Sequence, residues 1–106
     1  MNMLIEDTTF ELFTNLLKAV ADPTRRRILF LLRHGGEHSV NEIAKQLELA
    51  QPTTSQHLRI LKEAGALTSR KDGQQVLYNI ESIPVCDALM DFLVLFQQQT
   101  KKAMRS

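Results

Sequence analysis

One cysteine, Cys86, is all the thiol this chain of 106 residues carries. No disulfide can close within it, and a reducing compartment is the expectation. No run of apolar residues is long enough to span a bilayer, and there is no internal repeat or low-complexity tract. The opening residues, MNMLIEDTTFELF, carry acids where a secretory leader would carry bases ahead of its apolar stretch. A cytoplasmic chain with no membrane partner is expected. Excess charge of one sign is also missing. Thirteen Lys and Arg against 12 Asp and Glu leave a formal net charge of +1, which excludes the strongly basic balance of a general nucleic-acid coat. There is no glycine-rich phosphate loop and no cluster of metal ligands. Ser55 and His57, two apart on an expected helix, do not face each other, so nothing suggests an enzyme and no cofactor is called for.

What is present fits one small domain over 1–106. The hydrophobic content of 43% suffices for a core, and a partner subunit would add to the little surface so short a chain can bury. Charge is unevenly placed. Residues 22–36 hold Arg25, Arg26, Arg27 and Arg33 against Asp22, and residues 51–78 hold Arg59, Lys62, Arg70 and Lys71 against Glu63 and Asp72. Acids gather in Glu6, Asp7 and Glu11 and again in Glu81, Asp87 and Asp91. A positive face opposite a neutral-to-acidic one suits a protein that docks on DNA in a single orientation, although solvated faces alone produce similar patterns.

Phe10, Phe13, Leu16, Leu17 and Val20 recur at helical spacing and predict a helix over 8–21. Asp22 as cap and Pro23 at the first position open a second helix, which runs to about His34 and stops at Gly35-Gly36. Its apolar stretch 28–32 makes it central. Ser39 with Glu42 three positions on forms a capping box for a third helix, whose inner face is Ile43, Ala44 and Leu47. Leu49-Ala50-Gln51 makes a turn, Pro52 restarts the chain, and Gly65 ends the fourth helix. Two β-prone runs, about 67–71 and 74–80, are joined at Asp72-Gly73, a hairpin signal. Ser82 and Pro84 begin a last helix continuing to around Met104.

Residues 39–65 therefore read as a helix-turn-helix, and 66–80 as a wing attached directly to it. The expected fold is mainly α with a small β-hairpin: four helices, two strands and a fifth helix, a winged helix-turn-helix. On the fourth helix Thr54, Leu58 and Leu61 share the core side, while Gln56, Arg59 and Glu63 lie opposite. Duplex DNA is the expected partner. The contact set is Gln51, Thr53, Thr54, Ser55, Gln56, His57 and Arg59 on the helix, with Thr54 included although the wheel turns it inward. Arg70, Lys71, Gln74 and Gln75 at the wing tip complete it, reaching phosphates or the minor groove. Gln suits adenine, Arg guanine, and hydroxyls either base edges or phosphates. The Thr/Gln content suggests A·T-containing half-sites.

The last helix is too apolar for one buried side. Val85, Leu89, Phe92, Leu93 and Phe96 make one stripe, and Cys86, Met90 and Val94 another. The second stripe calls for the same helix of a second copy. A homodimer is thus expected through the helices of 1–21 and 82–106, with Phe10, Phe13, Leu17, Leu89, Met90, Leu93 and Val94 at the interface. Two recognition helices would then meet an inverted-repeat operator. Cys86 has no Lys, Arg or His beside it in sequence and reads as a small buried apolar residue.

The segments ADPTRRRIL (21–29) and QPTTSQHLRILKEAG (51–65) together resemble the ArsR/SmtB family of bacterial winged-helix regulators. The resemblance runs from Leu17 through the last helix. It implies a homodimeric repressor of the kind that usually controls its own operon and leaves DNA on meeting an inducer; for this chain a small molecule, a protein partner or no inducer at all stay open. The family's metal sensors carry Cys-x-Cys where this chain has Ser39 and Asn41, and their terminal-helix sites need histidine, which 82–106 lacks. His34 and His38 bracket the Gly-Gly loop, and Asp87 and Asp91 form a solvated i, i+4 pair. No metal site of the family's known kinds is expected. The competing reading is a winged-helix protein–protein interaction module that does not read DNA sequence.

Overall fold

The computed structural model describes residues 3–81 and, in the C-terminal segment, 91, 94, 95, 98 and 99. Four helices carry the domain: α1 (Met3–Val20), α2 (Pro23–Gly35), α3 (Val40–Leu47) and α4 (Gln51–Glu63). Three strands join them: β1 (His38–Ser39), β2 (Leu67–Asp72) and β3 (Gln75–Ile80). α1 begins five residues earlier than its apolar spacing predicts. Its last turns bury Leu16, Ala19 and Val20, while Phe10, Leu12, Phe13 and Leu17 stand in solvent in the single chain. The expected stripe is therefore only half covered by this chain's own core.

α2 is the central helix, packing on α1, α3, α4 and the sheet. The Asp22 carboxylate accepts the Arg25 N–H at 2.9 Å and Pro23 fills the first position. At the other end Gly36 turns to φ +77° and donates its N–H to the Leu32 carbonyl, so two glycines halt the helix as expected. Ile28, Leu29 and Leu32 enter a core completed by Leu16, Ala19, Val20, Ile43, Leu58, Leu61, Ala66 and Leu67.

Sequence periodicity misses β1. His38 and Ser39 pair antiparallel with Tyr78 and Leu77, making a three-stranded sheet of order β1-β3-β2 where a lone hairpin is expected. Two residues are too few to show an alternation, so only the edge of β3 makes them a strand. Burial follows: His38 is buried, with Nδ1 2.7 Å from the Gly36 carbonyl. Its ring packs so close to Gly35 that an added Cβ there would sit 2.9 Å from Cε1. The hairpin turn also lies one residue later than the Asp-Gly signal. Asp72 pairs with Gln75, leaving Gly73 and Gln74 as the two-residue loop. Gly73 at φ +65° supplies the left-handed backbone at its first position.

In the C-terminal segment residues 91, 94, 95, 98 and 99 are helical. Val94 is half-buried and Leu95 exposed. Asp91 accepts a charge-assisted bond from Arg33 of α2, which ties this segment to the central helix. The expected interface positions Leu89, Met90 and Leu93, and Cys86, lie outside the described residues.

Candidate nucleic-acid interface

Ser39 does two jobs at the entry to the helix-turn-helix. Its Oγ accepts the Glu42 N–H at 3.2 Å while the Glu42 carboxylate accepts the Ser39 N–H at 2.9 Å, the expected capping box. It is also the last residue of β1. α3 ends at Glu48, which adopts the left-handed conformation at φ 56° and donates to the Ala44 and Lys45 carbonyls. After the short turn, α4 starts with Pro52 in its first turn and no side-chain cap on Ala50.

The burial of α4 divides it sharply. Thr54, Leu58 and Leu61 are wholly buried, with relative exposures of 0%. Gln51, Thr53, Ser55, Gln56 and Arg59 are exposed. Counting Thr54 among the contact residues is therefore incorrect. It lies on the core stripe, and its hydroxyl donates to the Ala50 carbonyl one turn back at 2.9 Å. His57 is half-buried, with Nδ1 3.4 Å from an Arg25 guanidinium nitrogen. On the outer face an Arg59 guanidinium N–H donates to the Gln56 side-chain carbonyl at 2.7 Å.

The wing is held to this helix. Lys62 Nζ donates to the Ser69 hydroxyl on β2 at 2.5 Å, and the Glu81 N–H closes the base of the hairpin on the Ala66 carbonyl. Lys71, Gln74 and Gln75 are exposed at the tip. Arg70 is exposed too, yet it is not free as the sequence reading assumes. Its guanidinium makes two 2.7 Å bonds to the carboxylate of Glu37, just ahead of β1. Those bonds hold the Glu37 carboxyl below the usual carboxylate range.

The arginine run 25–27 is another set the sequence does not place. Arg25 Nε donates to the Ala19 carbonyl at 2.5 Å, and Arg26 to Val20 and Ala21 at 3.0 and 2.6 Å. Arg27 donates to Leu47 at 3.2 Å. Three cations thus satisfy the carbonyl ends of α1 and α3, where the helix dipoles favour positive charge. They serve the fold first and the surface field second. Arg25, reaching both the end of α1 and His57, is the connection sequence reasoning misses; the only signal was its place three residues after the cap.

An exposed polar face on a helix that follows a tight turn, braced by a basic hairpin, defines a winged helix-turn-helix DNA-binding domain of a transcriptional regulator. Residues 22–69 match the model of "Bacterial regulatory protein, arsR family". The transcriptional repressor SdpR of Bacillus subtilis is 37% identical over 71% of this chain and 82% of its own length. Among solved structures, the homodimeric winged helix-turn-helix DNA-binding domain of a possible ArsR-family regulator from Mycobacterium bovis superposes with a TM-score of 0.80 at 26% identity. That match covers 89% of this chain and 85% of the other. HlyU from Vibrio cholerae gives a TM-score of 0.70 at 37% identity, covering 80% and 90%. The chain belongs to the ArsR family of bacterial regulators. None of the helices described is long and apolar enough to cross a membrane.

Proposed function

We propose that this chain is a homodimeric transcriptional repressor that reads an inverted-repeat operator, one α4 to each half-site. The single observation that carries the reading is the division of α4. Its inner residues are completely buried, while Gln51, Thr53, Ser55, Gln56 and Arg59 face outward on a helix whose end is bonded to the wing. Such a helix presents its N-terminal half to base edges, and the wing's Lys71, Gln74 and Gln75 fall to phosphates beside it. The exposed Phe10, Leu12, Phe13 and Leu17 of α1 supply an apolar surface for the second subunit, in keeping with the homodimeric relative. Ser39, fully engaged as strand residue and cap, and Asn41 stand where the metal sensors need thiolates, so release from DNA falls to an inducer of another kind. The protein works in the cytoplasm and performs no catalysis.

The test is titration into labelled duplex from upstream of its own gene, against excess random DNA and at several salt concentrations. Wild type binds in a competitor-resistant manner, and its affinity falls as salt rises. Arg59→Ala costs about 10-fold or more in specific affinity. Binding no better than to random DNA, indifferent to salt and to Arg59, would instead identify an interaction module.

A further inference from the structure

The outer face of α4 holds two side chains that are bonded to each other, and this changes what they can read. Arg59 has Glu63 four residues ahead of it as an acid partner and Gln56 three behind. It turns back to Gln56, with the Arg59 N–H 2.7 Å from Oε1. Helical side chains lean toward the N-terminus, and that is the end a recognition helix inserts among base edges. The guanidinium is therefore carried toward the bases, and the Gln56 carbonyl is what holds it there.

We infer that Gln56 is a positioning residue that aims Arg59 at guanine, and that each half-site carries a G·C pair opposite this couple. The inference rests on the operator-reading function proposed above. The donor and acceptor inventory supplies the argument. Arg has only N–H donors, and Gln has two amide N–H donors and one carbonyl. With that carbonyl bonded to the guanidinium, the couple presents donors outward. Guanine offers two acceptors, N7 and O6, on its major-groove edge. Adenine offers N7 beside the N6 amino donor, which would be brought against the guanidinium. Gln–adenine pairing, the natural expectation from the sequence, needs the same carbonyl free of its cation. The face thus favours guanine where its Thr/Gln composition suggests A·T.

The experiment is selection from a random duplex library with the full chain as wild type, Gln56→Leu, Gln56→Glu and Arg59→Lys. Both positions are exposed, and Leu is a helix former at least as good as Gln, so the variants fold. Wild type is expected to enrich one guanine per half-site. Gln56→Leu, lacking the acceptor, lowers that enrichment by about fivefold, a part of what a bidentate arginine–guanine contact discriminates. Gln56→Glu keeps an acceptor for Arg59 and restores the guanine preference even though its added charge weakens binding overall. Arg59→Lys, a flexible point charge without the planar fork that Gln56 can hold, weakens the preference and makes it indifferent to an added Gln56→Leu. If Gln56→Leu keeps the guanine and loses an adenine instead, Gln56 reads its own base and this inference is overturned while operator reading stands. If wild type enriches no sequence at all, the operator-reading function falls and the inference with it.

Discussion

Thr54 and Arg70 show how a single residue's part is settled by a neighbour that the sequence does not display. Thr54 sits among the polar residues that open α4, yet it is sealed in the core with its hydroxyl on the Ala50 carbonyl. Thr54→Val keeps the shape and removes that bond. The Ala50 carbonyl still receives the Thr54 N–H, so the loss should be close to the net worth of one hydrogen bond, about 1 kcal/mol by urea unfolding. Operator affinity measured well below the melting temperature should not move. Arg70 is the reverse case, a surface cation at the wing that is already spoken for by Glu37, 33 positions away in sequence. Glu37→Gln removes the anion and releases the guanidinium to phosphate. The variant should bind DNA more tightly than wild type at low salt, and its log–log salt dependence should steepen by about one. An unchanged slope would mean that Arg70 never reaches the backbone.

The elements were legible in proportion to how local their causes are. Cap, proline and glycine signals placed α2, α3 and α4 to within a residue or two, because Asp22, Ser39 and Gly36 act on backbone groups beside them. The inner stripe of α4 was legible because burial repeats at helical spacing. By contrast β1 has no pattern of its own, and the carbonyl bonds of Arg25, Arg26 and Arg27 depend on where α1 and α3 end in space. The local caps also carry a pH dependence. Asp22 lies below the usual carboxylate range chiefly because it accepts the Arg25 N–H, and Glu42 because it accepts the Ser39 N–H. Lowered folded-state values mean that the stabilisation is complete above the unfolded value of about 4 and is lost as pH falls through the folded values. Urea unfolding midpoints should therefore decline from about pH 5 downward. The Asp22→Asn, Glu42→Gln double variant should show a flatter decline over the same window.

At the scale of the molecule, the apolar surface left on α1 is the feature that a single chain does not explain. Phe10 is 66% and Phe13 46% exposed, with Leu12 and Leu17 beside them. Phe13→Glu places a charge in that surface without touching the core. It should give monomers by sedimentation equilibrium with an unaltered helical spectrum, and lose about 10-fold or more in affinity for a two-half-site operator as the linkage between the two recognition helices disappears. The interior of the domain carries a second lesson, for anyone who would exchange parts among its relatives. Because Ser39 belongs at once to the sheet and to the start of α3, the wing is not a detachable hairpin. Grafting 67–80 onto another scaffold would leave the outer edge of β3 unpaired and exposed. A working transplant has to bring His38 and Ser39 along, and with them the opening of the helix-turn-helix itself. The wing and the helix-turn-helix are in that sense a single structural unit.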